Sequence, residues 1–235
     1  MQRDDAARRA EHRETLALVI VVEHQHRVDA NALGQLDAVL RVHQTHHLFQ
    51  SAEPASDSGS EAYWHLLDLI EQAGDGLKPS DAAIIEELEL QALDRVQLYE
   101  DVAPALAALK AMDITLLIAS SLSATAVNRF LDKFSLTGYF SRVWTRDSAE
   151  GVKALPLRKA VESAAFQAEH VVCLVDTADG IELARQVGVN SMLMFNDYDE
   201  GKRLAMLGPA GAIVSLHELP DAIRFVAEGA RDPRA

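Results

Sequence analysis

The chain has 235 residues, of which 49% are hydrophobic and 25% charged, and its formal net charge is −14 at pH 7. That is enough for one sizeable domain, with or without a smaller insertion. The acidic excess argues against nucleic acid or an anionic membrane surface as a partner, because both reward clustered lysine and arginine.

Residues 1–14 read as a charged tail. The run "LALVIVV" at 16–22 is continuously apolar and rich in β-branched residues, as expected of a parallel strand buried on both faces. It is far too short to span a bilayer. Asp4, Asp5, Glu11 and Glu14 precede it, which speaks against a signal-peptide core and for a cytoplasmic protein. Residues 30–97 then read as helical, with segments at 31–49, 61–73 and 79–96 and a polar loop between the first two. In the third, Ile85, Leu88, Ala92 and Val96 share one face, and "EELELQALDRV" reads as a solvated acidic face over that core stripe.

From about residue 98 strands and helices alternate. A helix is expected at 102–112, a strand at 113–120, a helix at 123–134, a short strand at 142–145 and a helix at 155–168. Strand 170–176, a helix ending at Gly188, strands 191–195 and 211–215 and a last helix at 218–228 complete the chain. This rhythm predicts an α/β fold, a doubly wound parallel sheet. The helical block interrupts it straight after the first strand. The expected domains are therefore a core of 1–29 plus 98–235 and a helical cap of 30–97. Ligands of such sheets bind beyond the carboxyl ends of the strands, which directs attention to 22–26, 119–123 and 175–180. The single cysteine, Cys173, lies in the apolar run "VVCLV" and reads as a small buried hydrophobe.

The strand ends and their flanks carry a resemblance. "LYEDVAPALAALKAMDITLLIASS", "FLDKFSLTGYFSRVWT", "VKALPLRKAVESA" and "VVCLVDTADGIELARQVGV" follow one another in the order and spacing of the haloacid dehalogenase-like hydrolase superfamily. The chain resembles the branch with a helical cap after the first strand, which includes phosphoglycolate phosphatase and β-phosphoglucomutase-like proteins. The resemblance covers nearly everything from residue 16 and implies a Rossmann-like core with a phosphatase site. In that family an Asp-x-Asp loop ends the first strand. Its first acid attacks phosphorus and its second protonates the leaving oxygen. A hydroxyl and a lysine hold the phosphate, and acids of the fourth motif help hold Mg²⁺.

Here the first motif departs from the pattern. Aligning Val28-Asp29 with the family's Val-Asp after the loop places Val22 at the nucleophile position and His24 at the acid/base position. Gln25 and His26 then follow. A slip of one residue offers Glu23 as an out-of-register nucleophile, but Gln25 then holds the acid/base place. Valine has no lone pair, so a phospho-aspartyl intermediate cannot form there. In the fourth motif Asp176 is retained, Val175 replaces an acid, and Asp179 stands one place early. Asp176 and Asp179 are the candidate metal ligands, and so few carboxylates imply at most weak magnesium binding and no resident cofactor. The phosphate-holding positions survive better: Ser120 or Ser121 matches the hydroxyl, the segment "SSLSATAV" there opens a helix whose N–H groups suit an anion, and Lys153 matches the lysine.

Nine histidines are a high count. His24 and His26 alternate at a strand tip, and His43, His46 and His47 share a helix face. A metal site across the cap and core is conceivable from this spacing, but solvated histidines are the simpler reading. His65, His170 and His217 show no ligand spacing, and Tyr63 and Trp64 read as packing residues. The function this implies is a phosphatase-derived protein with lost or strongly reduced phosphohydrolase activity, binding a phosphorylated small molecule or a protein partner. The alternative is an active phosphoric-ester hydrolase with rewired chemistry at His24 or Glu23. Nothing in the sequence specifies an oligomeric state.

Overall fold

The computed structural model describes residues 17–22, 59–74, 78–163, 166–195 and 197–229. Six strands form one sheet in the order β3-β2-β1-β4-β5-β6, and every neighbouring pair is parallel. They are β1 (Ala17–Val22), β2 (Thr115–Ser120), β3 (Arg142–Trp144), β4 (Val171–Val175), β5 (Asn190–Met194) and β6 (Gly211–Ile213). The expected doubly wound α/β architecture is present. The chain runs from β1 outward to β2 and β3, then returns to the other side of β1 for β4. The two directions part between β1 and β4, the place where open α/β sheets bind ligands.

Alternation along the strands feeds two cores. Leu116 and Ile118 of β2, Val172 and Leu174 of β4, and Met192 of β5 face one side. There they meet Leu106 and Leu109 of α3 (Val102–Ala111) and Val127 and Leu131 of α4 (Ala124–Lys133). Leu219 and Ile223 of α9 (Leu219–Gly229) pack on the same side. Leu117, Ala119, Val171, Cys173, Val175 and Leu193 face the other. They meet Leu157 and Ala160 of α6 (Ala154–Ser163) and Ile181 and Ala184 of α7 (Ala178–Val187). Every residue of β4 is buried, which is why its apolar run is unbroken. Cys173 is fully buried.

Among the described residues, two helices lie between β1 and α3 in the chain: α1 (Gly59–Ala73) and α2 (Pro79–Arg95). Leu66, Leu67 and Ile70 of α1 and Ile85, Leu88 and Leu93 of α2 join the first core. The Lys133 ammonium donates to the Leu93 carbonyl at 2.6 Å and the Val96 carbonyl at 3.1 Å, satisfying orphan carbonyls at the end of α2. The expected helix at 31–49 falls outside the described residues.

Three local readings change. The helix expected at 155–168 ends at Ser163, whose hydroxyl donates back to the Ala160 carbonyl and accepts the Trp144 indole N–H. A helix not expected, α8 (Tyr198–Ala205), precedes β6 and is N-capped by Asp197. A single turn, α5 (Arg146–Ala149), follows β3, held by a capping box between Thr145 and Ser148. Among the described residues, no helix is long and apolar enough to cross a membrane.

Candidate functional site

The β1 register sets the frame. The Val22 Cα pairs with that of Ser120, and Ile20 pairs with Leu174, so two residues further on Val22 stands level with Asp176. The three central strands therefore bring Val22, Ser120 and Asp176 to one end of the sheet, where the chain reverses its winding. Glu23, His24, Gln25 and His26 lie outside the described residues, as do His43, His46 and His47. His170 is half-buried just before β4, at the other end of the sheet, and His217 is exposed. Of His65, Tyr63 and Trp64 only the helical backbone of α1 is described.

The loop after β2 is tightly bonded. The buried Ser120 hydroxyl accepts from the Leu122 N–H at 3.1 Å. The Ser121 hydroxyl accepts from the Lys153 N–H at 2.8 Å, so the structure joins that serine to the lysine's own backbone. Ser123 caps α4 by accepting from the Ala126 N–H at 3.1 Å. Thr145–Ala149 supports the loop from below. The Arg146 N–H donates to the Leu122 carbonyl at 3.2 Å, its guanidinium to the Ser121 carbonyl at 3.2 Å, and the Asp147 carboxylate accepts from the Ala124 N–H at 2.6 Å.

Acids of the helices before α3 complete this region. Glu89 of α2 is only 3% exposed; it pairs with the Arg146 guanidinium and accepts the Ser123 N–H at 3.1 Å. The solvated reading of "EELELQ" is thus wrong for Glu89. Its signal was weak: an acid flanked by Leu88 and Leu90 on an otherwise regular amphipathic helix. Lys153 is not a free surface lysine either. Its backbone is left-handed, with φ of 57°, a conformation L-residues rarely adopt. Its ammonium pairs with Asp68 and, at 3.0 Å, with Glu71, both from α1. Burial pulls its pKa down, but hydrogen bonds and attraction from Asp68 and Glu71 prevail and leave it above the ordinary lysine value.

On the other side of β1, Asp176 follows β4 directly. Burial, aided by the like charge of Glu200 on α8 and opposed by a backbone hydrogen bond, pushes its carboxyl up to about 6. Thr177 caps α7, accepting from the Gly180 N–H at 3.0 Å, and Asp179 is exposed in the first turn. Val175, where the resemblance expects an acid, is buried in the second core. A Cβ at Gly180 would lie 2.9 Å from the Val175 Cβ and 3.1 Å from the Thr177 hydroxyl, so glycine lets α7 start close against the strand. Gly180→Ala is expected to lower stability by about 1–3 kcal/mol, read as a shift in the urea midpoint; an unchanged midpoint would show that the helix start can move aside.

Among the described residues, no group of three or more His, Cys, Asp or Glu side chains could hold a metal ion. Octahedral magnesium wants several oxygens with at least one or two carboxylates well placed. Val22 and Val175 contribute hydrocarbon where the resemblance expects carboxylates, so the described donor set does not fit that ion.

The family model described as haloacid dehalogenase-like hydrolase matches residues 44–194. The chain belongs to that family. Solved structures agree with the haloacid dehalogenase-like fold. A conserved haloacid dehalogenase-like protein from Agrobacterium tumefaciens is 21% identical with a TM-score of 0.59, over 90% of this chain and 99% of that one. A predicted phosphatase from Clostridium acetobutylicum is 16% identical with a TM-score of 0.60, over 90% and 99%. A predicted phosphoglycolate phosphatase from Haemophilus somnus is 15% identical with a TM-score of 0.57, over 89% and 98%. No curated protein matches the chain. At these identities the structural likeness speaks for the haloacid dehalogenase-like fold alone.

Proposed function

We propose that this haloacid dehalogenase-like protein is phosphatase-derived, with phosphohydrolase activity lost or strongly reduced, and that it binds a phosphorylated small molecule or a protein partner in the cytoplasm. In this reading residues 30–97 are a helical cap and the remainder is the core. The observation that carries it is Val22. It ends the central strand at the winding reversal, level with Ser120 and Asp176, and offers hydrocarbon where an ionised oxygen must strike phosphorus.

The residues left in place suit holding an anion better than cleaving a bond. Ser120, Ser121 and Lys153 are the candidate phosphate-holding groups, and Asp176, with Asp179 beside it, the remnant of a metal site. Holding an anion needs donors and positive charge, which these positions retain. Cleavage needs a nucleophile and an acid aligned to within about 1 Å, an error that costs roughly 100-fold, and the Val22 position cannot supply the first.

The test is hydrolysis of generic phosphate esters with added Mg²⁺. Turnover is expected to stay at background in the wild type and in Asp176→Ala alike. Substantial turnover lost on Asp176→Ala would overturn the reading, as would a trapped phospho-enzyme that disappears in His24→Ala or Glu23→Ala.

A further inference from the structure

Among the described residues, three groups suited to an anion are met by the chain's own carboxylates. The Lys153 ammonium holds Asp68 and Glu71, the Ser123 N–H holds Glu89, and the Ala124 N–H holds Asp147. The Leu122 and Ala126 N–H groups turn to the Ser120 and Ser123 hydroxyls. Three of the four acids, Asp68, Glu71 and Glu89, come from α1 and α2 and so reach the core from the helical insert.

These contacts differ in how readily they release. The Glu89–Arg146 pair is 3% and 9% exposed, and parting it would take from each of two shielded charges its direct counter-charge. Asp68 and Glu71 are 47% and 54% exposed, against 16% for Lys153. Water can take over the two carboxylates as they leave, while the lysine needs a new anion. An exposed acid on a less exposed lysine is an exchangeable occupant.

We propose that Asp68 and Glu71 are a built-in occupant of the anion seat at Lys153, an autoinhibitory contact that a phosphoryl group must displace to bind. The competition rests on the proposed anion-binding function; the contact itself does not. The two acids are three residues apart on α1, one helical turn, so both reach the same ammonium from one face. The left-handed backbone of Lys153, fixed by its N–H on Ser121, keeps the start of that side chain in one place beside the loop after β2.

The experiment uses the full chain and the double variant Asp68→Asn/Glu71→Gln, which keeps side-chain shape at two half-exposed positions. Inorganic phosphate is titrated by calorimetry, and reductive methylation of Lys153 is followed by mass spectrometry. Removing two exposed pairs is expected to tighten phosphate about tenfold and to speed Lys153 methylation. Glu162→Gln/Glu169→Gln removes the same charge from exposed positions outside the cluster and is expected to change neither. Unchanged Lys153 methylation in the Asp68/Glu71 variant, or an equal gain in the control variant, would overturn the proposal. Faster methylation with no phosphate binding in any variant would uphold the contact and overturn the anion-binding function instead.

Discussion

Glu89→Ala is expected to be the most destabilising single substitution in the loop region, costing about 3–5 kcal/mol. Glu89 and Arg146 are both nearly inaccessible, and the acid also serves the Ser123 N–H at the head of α4. Alanine removes the buried countercharge of a guanidinium that is 9% exposed and leaves it the Ser121 carbonyl and the more distant, half-exposed Asp147 carboxylate at 3.9 Å. It also leaves the Ser123 N–H without this acceptor, a further desolvation cost of its own. The readout is a lower urea midpoint with an unchanged slope. The pair's own net worth is a separate quantity. The double variant Glu89→Leu/Arg146→Met is expected to recover most of the loss, because it removes both buried charges together. A cost below about 1 kcal/mol for Glu89→Ala would mean that the pair is solvated, and that α2 is not fastened to the core at this point.

That pair also marks the limit of what local pattern can say. The strands of the sheet are legible because each is a self-contained run: β4 is apolar over its whole length and buried throughout. The ends of α4 and α7 are legible because Ser123, Thr177 and Gly188 act on their own neighbours. Glu89 finds its partner 57 residues away, and Lys153 finds Asp68 and Glu71 more than 80 residues away. No periodicity encodes such pairings; only the fold brings them together. The identity of Val22 at the end of a strand could be read without coordinates; the partners of Glu89 and Lys153 could not.

The helix α8 was hidden for a different reason. "YDEGKRLA" buries only Gly201 and Leu204, and a mid-helix glycine weakens the expectation of a helix. Its true signature is electrostatic. Asp197 caps it, Asp199 and Glu200 lie in the first turn, and Lys202 and Arg203 lie in the last, an arrangement that complements the helix dipole from both ends. Gly201 is there for packing, since a Cβ would fall within 2.6 Å of three atoms of the Phe195 ring. This placement has a consequence for the candidate site, because Glu200 is the acid whose charge reaches Asp176.

Asp176→Asn is accordingly expected to stabilise the protein, and only above acidic pH. The Asp176 carboxyl is raised from 3.8 to about 6 in the folded chain, first by burial and then by Glu200. An acid raised on folding contributes stability that is fully present below its unfolded value and is lost as pH climbs through the folded one. Below pH 4 both states are protonated at this position, and the asparagine variant should match the wild type. Between pH 4 and 6 the unfolded chain ionises first and the wild type falls behind. Above about pH 7 the gap should level at roughly 2–3 kcal/mol, measured as the difference in urea midpoints across a pH series. Glu200→Gln should recover a smaller part of the same gap, since it relieves only the charge and leaves the burial. A variant less stable than the wild type at pH 8 would reverse the sign, and would mean that the ionised carboxylate is held by a cationic partner that burial and Glu200 do not outweigh.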